Sequence, residues 1–356
     1  MAITATFLEQ DGQPPAAVAA RLAAFLRAAQ STLHLAIYDF RLSDSLAGPL
    51  MEALRERVAA GVEVRIVYDA GKPHFSFQQA SADPAPPGTA QFIKSLGGGI
   101  LARAITGGDP KLPKLMHHKY IIRDGQDANG TIWTGSTNFT DDSWTYQENN
   151  IIEVESSSLC AYFETDFEEL WQRGDIATTG AHDTGTVSVD GKRVGVAFAP
   201  GEGRAIDHEI AHVIGTARRR IKICSMLITS GAILGALGDA LDRRWLQEFG
   251  GIHDATQMAS VLDQWQGGQA AWKIKAFEHI ASTLAGKRST PYTPDGRHDF
   301  MHNKIVLVDD TVITGSYNLS HSATENAENV LFLHDPGLAS TYNSYIDRLV
   351  QRYGKG

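Results

Sequence analysis

Residues 117–124 read His-His-Lys-Tyr-Ile-Ile-Arg-Asp, and residues 302–309 read His-Asn-Lys-Ile-Val-Leu-Val-Asp. Both stretches follow the spacing His-x-Lys-x4-Asp, and they lie 185 positions apart. Each is followed by Gly-Ser-x-Asn, and a Glu comes 13 residues after that glycine. Because four spacings agree between two parts of one chain, the pattern indicates a duplicated domain rather than chance. A period of this length is also far above the roughly 20 to 50 residues of a solenoid repeat.

The duplicated pattern supplies two matching sets of candidate site residues. On a strand, residues two apart point to the same face, so each imidazole and its neighbouring ammonium look into one space. The candidates with catalytic chemistry are His117, Lys119, Asn138, Glu148, His302, Lys304, Asn318 and Glu328. The supporting candidates are Asp124, Ser136, Asp309 and Ser316. Two Lys, two Asn and two His around one point suit a phosphodiester better than a carbonyl.

The proton donors and acceptors among these candidate residues suggest a reaction. A neutral His can attack phosphorus while a second, protonated His donates to the leaving oxygen. The Lys and Asn side chains stabilise charge on the equatorial oxygens, so no metal is required. Each Glu is suited to accept a hydrogen bond from a ring nitrogen and to fix its tautomer. The sequence leaves open which Glu serves which His.

The segments that precede the two motifs repeat a strand-helix-strand pattern. In the first half we predict helices over 16–29, 46–60 and 91–95, strands over 33–40 and 62–69, and a Pro/Gly/Ser-rich loop over 72–88. In the second half we predict helices over 206–219 and 232–248, a strand over 221–228, and a less regular region over 250–296. Each half is expected to be α/β with its own core. The stretch 175–185 predicts a boundary that divides the chain into residues 1–178 and 179–356.

The composition is that of an ordinary globular protein, and the charge weighs against a protein that coats nucleic acid. The 356 residues include 43% hydrophobic ones, and the net charge of −9 argues mildly against sequence-independent nucleic-acid binding. No apolar run approaches the roughly 18 residues of a membrane span, and the first residues lack a secretion-signal pattern, so we expect a soluble, cytoplasmic protein. Cys160 and Cys224 lie far apart in the sequence and in no metal-binding spacing, so we predict neither a disulfide nor a metal site at them.

These residues resemble the phospholipase D superfamily, whose mark is a doubled His-x-Lys-x4-Asp motif with Gly-Ser-x-Asn downstream. The resemblance covers essentially the whole chain. It implies a duplicated phospholipase D-like α/β/α sandwich, in which two similar domains pack about a pseudo-twofold axis and join their motifs in one site. It also implies a phosphohistidine intermediate without a cofactor, with His117 as the nucleophile, His302 as the general acid, and Asp124 and Asp309 in supporting roles. Because both half-sites lie in one chain, we expect a monomer.

The resemblance leaves the substrate open. We favour a phospholipid, with hydrolysis or transfer of its phosphatidyl group. DNA or RNA is the alternative substrate for the same chemistry, and a non-catalytic anion-binding module is a third reading. The turn after Asp124 is longer than its counterpart, with ten residues before Gly135 against five between Asp309 and Gly315. We expect those extra residues to form a hairpin turn over 124–130, away from the phosphate.

Other patterns have simpler interpretations. His208-Glu209-Ile210-Ala211-His212 matches the zinc motif H-E-x-x-H, but a solvated helix surface is the favoured reading. His118 is predicted to point away from the site, into packing or to the surface. The run Arg218–Arg220 is interpreted as a solvated helix end, with a phosphate contact as the alternative. The residues that could line a substrate entrance, or form a plain loop, are Tyr292, Arg297, His298, Asp299 and Phe300.

Overall fold

The N-terminal half of the chain builds a seven-stranded sheet with helices on both faces. The computed structural model describes residues 2–71, 88–108, 114–243, 245–266, 270–293 and 296–354. The strands are β1 (Ile3–Leu8), β2 (Thr32–Ile37), β3 (Phe40–Arg41), β4 (Glu63–Asp69), β5 (Ile100–Ile105), β6 (Lys119–Arg123), β7 (Thr131–Gly135), β8 (Phe139–Thr140) and β9 (Asn149–Glu155). The helices are α1 (Pro15–Arg27), α2 (Asp44–Ala59), α3 (Thr89–Ser95), α4 (Asp141–Thr145) and α5 (Ser157–Arg173). The sheet order is β1-β9-β7-β6-β2-β4-β5, and β3 pairs separately with β8.

The C-terminal half builds an eight-stranded sheet. Its strands are β10 (Gly185–Val189), β11 (Lys192–Ala199), β12 (Arg220–Ser225), β13 (Glu248–Asp254), β14 (Leu284–Lys287), β15 (Lys304–Val308), β16 (Thr311–Gly315) and β17 (Glu328–His334). Its helices are α6 (Gly203–Gly215), α7 (Gly231–Leu241), α8 (Ala255–Gln266), α9 (Ala271–Ala281) and α10 (Pro336–Tyr353), with a 3₁₀ helix at His321–Thr324. The order is β10-β11-β17-β16-β15-β12-β13-β14. Across the described ranges, no helix is both long and apolar enough to cross a bilayer.

The two sheets repeat one topology, which confirms the predicted duplicated α/β fold. Without the edge strand β10, the second order matches the first strand for strand, from β1 and β11 to β5 and β14. In each half two strands connected through a helix, β2 and β4 or β12 and β13, pair in parallel, as a strand-helix-strand crossover requires. The motif strands β6 and β15 then run antiparallel to β2 and β12.

The halves share a central core as well as holding separate ones. One outer cluster packs α1 and α2 on the first sheet, and another packs α6, α7 and α9 on the second. A third cluster contains residues of both halves, including Phe163 of α5, Phe198 of β11 and Tyr342 of α10. The expectation that each half buries its own core is therefore incomplete. The central layer fixes one half against the other.

A reciprocal pair of hydrogen bonds marks the pseudo-twofold relation between the halves. Asn150 Nδ2 donates to Thr314 Oγ1 over 2.9 Å, and Asn329 Nδ2 donates to Thr134 Oγ1 over the same distance. All four side chains are buried. Each half thus has an Asn and a Thr at matching positions, and the Asn of each half donates a hydrogen bond to the Thr of the other.

Several sequence-based boundaries need correction. The helix predicted over 232–248 ends at Leu241, and Glu248 instead begins β13, where it pairs with Arg220. The apolar spacing continues through Trp245, but that side chain is exposed and supports no helix face. The region 250–296, predicted to be less regular than its counterpart, contains most of β13 together with α8, α9 and β14. Most of the predicted loop 72–88 lies outside the described residues, and the division at 178/179 remains a prediction.

Candidate active site

The His-Lys pairs lie at the start of the two motif strands. Lys119 and Lys304 are the first residues of β6 and β15, and each ammonium donates 2.7 Å to the carbonyl oxygen of its own motif histidine. Both Lys are 1–2% exposed, and both His are 7% exposed. The lysine stem therefore folds back along the backbone and places its charge beside the imidazole. This agrees with the expectation that each ring and ammonium share one space.

Each histidine is held in place by the other half. His117 N donates 2.9 Å to Ala327 O, and His302 N donates 3.0 Å to Glu148 O. The backbone N–H one residue earlier is also fixed. Met116 N donates 2.7 Å to Asp69, and Met301 N donates 2.9 Å to Asp254. Sequence reasoning missed these two aspartates, although each is the last residue of its strand, β4 or β13.

The histidine side chains also reach across the junction. His117 Nδ1 lies 2.8 Å from Glu328 Oε1, and His302 Nδ1 lies 3.0 Å from Asn149 Oδ1. Glu328 and Asn149 are fully buried at the start of β17 and β9. The two motifs therefore meet at one place, and each half supplies the partner of the other half's imidazole. The partners differ, since one is a carboxyl and the other an amide.

Glu148 does not take the place that the sequence predicted for it. Its carboxylate contacts Lys287 Nζ at 3.3 Å, the Tyr353 hydroxyl and the backbone N–H of Gln10, rather than His302. Lys287 is itself buried, so the pair forms an internal ion pair beside the site. The offset of 13 residues from Gly135 therefore selected Glu148, whereas the neighbouring Asn149 is the residue that contacts the histidine ring.

The cause is a one-residue difference in the preceding turn. That turn is the five-residue α4 in the first half and a four-residue 3₁₀ helix in the second, and an α-helical turn takes up more residues than a 3₁₀ turn. Gly135 consequently pairs with Ile151, whereas Gly315 pairs with Val330. In the register of the sheets Asn149 is therefore equivalent to Glu328.

The Gly-Ser-x-Asn segments shape the ends of β7 and β16. Gly135 and Gly315 have φ values of 138° and 154°, and a Cβ at either would collide with the carbonyl oxygen of the facing Asn150 or Asn329. Ser136 Oγ donates 2.8 Å to Asn149 Oδ1, so this serine supports the amide beside His302. Asn138 and Asn318 are half-buried, and their carboxamide oxygens have no hydrogen-bond partner among the described residues.

Burial and mutual repulsion dominate the electrostatics of the site. Burial lowers the pKa of Lys119 to about 7, and burial together with the charge of Lys119 lowers the pKa of Lys304 well below its usual value. Burial, and then the two lysines, lower the pKa of both His117 and His302. Burial raises the pKa of Glu328 to about 7. Such a concentration of buried cationic groups has the chemistry of an anion-binding site, since an anion offsets their repulsion and desolvation.

The motif aspartates lie at the far ends of the motif strands. Asp124 accepts hydrogen bonds from the backbone N–H groups of residues 30–32, and Asp309 does the same for residues 218–220. Each thereby ties its strand end to the turn that enters β2 or β12. The first hairpin turn spans residues 124–130 and the second only 309–310, at the end of each strand away from the lysine. The extra residues lie where the sequence placed them.

The remaining motifs lie outside the site. His118 is fully buried, with Nε2 3.2 Å from Asp166, and so serves packing. His208, Glu209 and His212 are exposed on α6, and within the described ranges no group of three or more His, Cys, Asp or Glu could hold a metal ion. The arginine run follows α6, and its backbone binds Asp309.

The residues before the second motif form a stack of rings. Tyr292, which is 63% exposed, stacks on His298 at 5.2 Å, and His298 stacks on the buried Phe300 at 5.3 Å. Arg297 lies over the Tyr146 ring at 4.0 Å, and Asp299 accepts the Thr290 N–H. The stack leads from the surface to the backbone of Phe300, whose carbonyl binds Glu148 N. The described residues of this connection have no regular secondary structure, and whether they line a substrate entrance remains a prediction.

The chain is similar to known proteins in its family and in its fold. A family model described as "Cardiolipin synthase, PLD-like domain" matches residues 22–171 and 210–350. The mitochondrial cardiolipin hydrolase of Xenopus laevis is 27% identical over 158 residues, covering 44% of this chain and 63% of that protein, so less than two thirds of the relative's length is matched. The phosphatidylserine synthase of Haemophilus influenzae Rd KW20 superposes with a TM-score of 0.67 at 13% identity, over 98% of this chain and 86% of that one. The polyphosphate kinase of Porphyromonas gingivalis gives a TM-score of 0.59 at 10% identity, over 98% and 47%. These two likenesses show the fold, and the family model, matched once in each half of the chain, shows that this protein belongs to the phospholipase D superfamily.

Proposed function

We propose that this protein is a metal-independent phosphodiesterase that cleaves or transfers the phosphatidyl group of a phospholipid through a covalent phosphohistidine. The observation that carries the proposal is that each motif histidine contacts a residue of the other half, His117 with Glu328 and His302 with Asn149. Each histidine also has a buried lysine beside it. His302 Nδ1 is hydrogen-bonded to Asn149 and His117 Nδ1 lies 2.8 Å from Glu328, so in this proposal the two Nε2 atoms face the substrate. Nucleophile and proton donor are therefore available in one place.

In the proposed first step, His117 Nε2 forms a bond to phosphorus while the bond from phosphorus to the leaving oxygen breaks. His302 gives its Nε2 proton to that oxygen. In the second step the neutral His302 takes a proton from water or an alcohol, whose oxygen attacks phosphorus, and the N–P bond breaks. Lys119, Lys304 and the amide groups of Asn138 and Asn318 stabilise the negative oxygens through both steps. Binding the anionic substrate also raises the lowered pKa of the lysines towards their charged forms.

A phospholipid substrate is supported by two considerations. The matched relatives include a protein named as a cardiolipin hydrolase and one named as a phosphatidylserine synthase. The net charge of −9 gives little long-range attraction for a polyanion such as DNA. A single phosphodiester headgroup needs only the local cationic site, which the buried lysines supply.

The decisive test uses His117→Ala and His302→Ala with radiolabelled phosphatidylglycerol, cardiolipin and phosphatidylcholine, and with plasmid and RNA in parallel. We expect both variants to lose at least about a thousandfold in kcat, because nucleophile and acid act as a unit. With a substrate carrying an activated aryl leaving group, His302→Ala should still be phosphorylated and should accumulate the label on His117. Label on His302 in a His117→Ala background would reverse the roles, and nicking of plasmid without lipid turnover would replace the substrate.

The matched control is His208→Ala/His212→Ala, which removes the exposed histidines of α6. Activity of this variant should equal that of the wild type, and chelators should leave both unchanged. Loss of activity in the control variant together with sensitivity to EDTA would restore a zinc-dependent mechanism and contradict the proposal.

A further inference from the structure

We propose that Asn149 is a positioning residue that makes the two histidines chemically unequal, so that His117, facing Glu328, takes the phosphoryl group and His302, facing an amide, moves the proton. The inference rests on the proposed function and goes beyond it, because it names the feature that assigns the roles. It starts from the equivalence of Asn149 and Glu328 in the two sheets. A duplicated site would be expected to present the same group to both rings, and this one does not.

The orientation of the Asn149 amide follows from its neighbours. Its Nδ2 lies 3.3 Å from the carbonyl oxygen of Ser143 and from Gln147 Oε1, and a carbonyl oxygen can only accept. Oδ1 therefore faces the Ser136 hydroxyl at 2.8 Å and His302 Nδ1 at 3.0 Å. Because Oδ1 can only accept, His302 Nδ1 carries a hydrogen in both protonation states of the ring. The proton that His302 exchanges is then the one on Nε2.

The partner of His117 has the opposite electrostatic character. A carboxylate at contact distance stabilises a cationic imidazole, whereas an amide oxygen contributes no net charge. When His117 Nε2 bonds to phosphorus and Nδ1 keeps its hydrogen, the ring becomes a phosphorylated imidazolium. Glu328, 2.8 Å away, is placed to neutralise that ring. No equivalent carboxylate faces His302 within the described part of the chain, since Glu148 is engaged by Lys287 and Tyr353.

The surroundings of the two rings are otherwise alike. The charges facing His302 are those of Lys304, Lys119 and His117, and those facing His117 are Lys119, Lys304 and His118. All of them disfavour an imidazolium. With an amide partner, a protonated His302 is therefore a strong acid towards the leaving oxygen. The difference between the partners is the feature that separates the roles.

The first test measures the histidines directly by NMR titration of selectively labelled protein, without any substrate. Asn149→Asp, which is isosteric, should raise the pKa of His302 by about 1 to 3 pH units, and Glu328→Gln should lower that of His117. A His302 pKa that does not move in Asn149→Asp would overturn the inference. If Asn149→Asp does not fold, Glu328→Gln decides alone, since it gives both rings amide partners, and an unchanged His117 pKa is then the contrary result.

The second test maps the covalent label. In wild-type protein the labelled phosphate should be recovered on His117, and in the exchange variant Asn149→Asp/Glu328→Gln it should move to His302. A label that stays on His117 in the exchange variant would show that another feature assigns the roles. If wild-type protein forms no phosphohistidine with any phosphodiester, the proposed function fails, whereas the titration still decides what Asn149 does to His302.

Discussion

Lys119 and Lys304 show how far single residues of this site are removed from ordinary surface chemistry. Each ammonium is buried, donates to the carbonyl of a neighbouring histidine and lowers the pKa of the other groups around it. Buried cations are costly unless an anion meets them. The folded protein therefore carries a local instability that binding of a phosphoryl group relieves.

Replacing Lys119 by Met should stabilise the protein while abolishing turnover. The pKa of Lys119 falls from 10.5 to about 7, and each pH unit corresponds to about 1.4 kcal/mol. The cost of the charge is thus fully present below pH 7 and fades as the pH rises towards 10.5. Urea unfolding should show a gain of about 2 to 4 kcal/mol for Lys119→Met at pH 7 and a smaller gain at pH 10.

Inorganic phosphate provides the control for this prediction. It should raise the melting temperature of the wild type and have a much smaller effect on Lys119→Met, because the anion binds where the cations repel. A variant that is less stable than the wild type at both pH values would show that the bond to His117 outweighs the burial of the charge.

At this scale the sequence predicted which motif residues would lie together, but it gave Glu148 the place that Asn149 takes and did not identify Asp69 or Asp254. Five residues lie together as their spacing implied, because the spacing of residues along a strand fixes where their side chains lie. They are His117, Lys119, His302, Lys304 and Glu328. Asn149 was missed because residues 148–150 read Glu-Asn-Asn and residues 328–330 read Glu-Asn-Val. This apparent match conceals a turn that is one residue longer, and such turns depend on whether their hydrogen bonds close over three or four residues.

Among the elements, each of the two motif hairpins has one end at the candidate active site, called here the working end, and an opposite end closed by its turn. The lysines begin β6 and β15, while the turns at residues 124–130 and 309–310 close the opposite ends. A strand advances about 3.3 Å per residue, so the first turn lies about 16 Å from Lys119. Its length can therefore vary without altering the geometry around the histidines.

Shortening the first hairpin tests this separation. Replacing residues 125–130 by one Asp gives the two-residue Asp-Asp turn of the second half and keeps Asp124, which holds the entry to β2. We expect kcat/KM to stay within about twofold of the wild type, because well-separated sites act independently. Asn138→Ala, at the working end of β7, should instead lose about a hundredfold in kcat. A comparable loss in the shortened variant would place the long turn in the substrate path.

At the scale of the whole molecule, the central core joins the halves into one unit. Phe198 from the second half stacks edge-on against Phe163 from the first at 5.0 Å, and both are fully buried. The first helices of the two halves were predictable from their apolar spacing. The shared layer was not, because a sequence pattern shows that a face is apolar without showing what covers it.

Calorimetry should therefore record one cooperative unfolding transition for both halves. Phe198→Ala should lower the stability of the whole chain by about 3 to 5 kcal/mol, since it opens a cavity in the shared layer. The ratio of calorimetric to van't Hoff enthalpy should remain near one in both proteins. Two separate transitions would mean that the halves unfold independently and that the division near residue 178 separates autonomous domains.

The covalent link between the halves has a consequence for how the site could diversify. In a symmetric dimer of identical subunits, any residue that faces one histidine must also face the other, because symmetry copies every substitution. A fused chain is free of that constraint. The carboxyl of Glu328 and the amide of Asn149 occupy equivalent places and could not differ in such a dimer. Fusion of two copies thus allows each half to specialise while the pair still works as one.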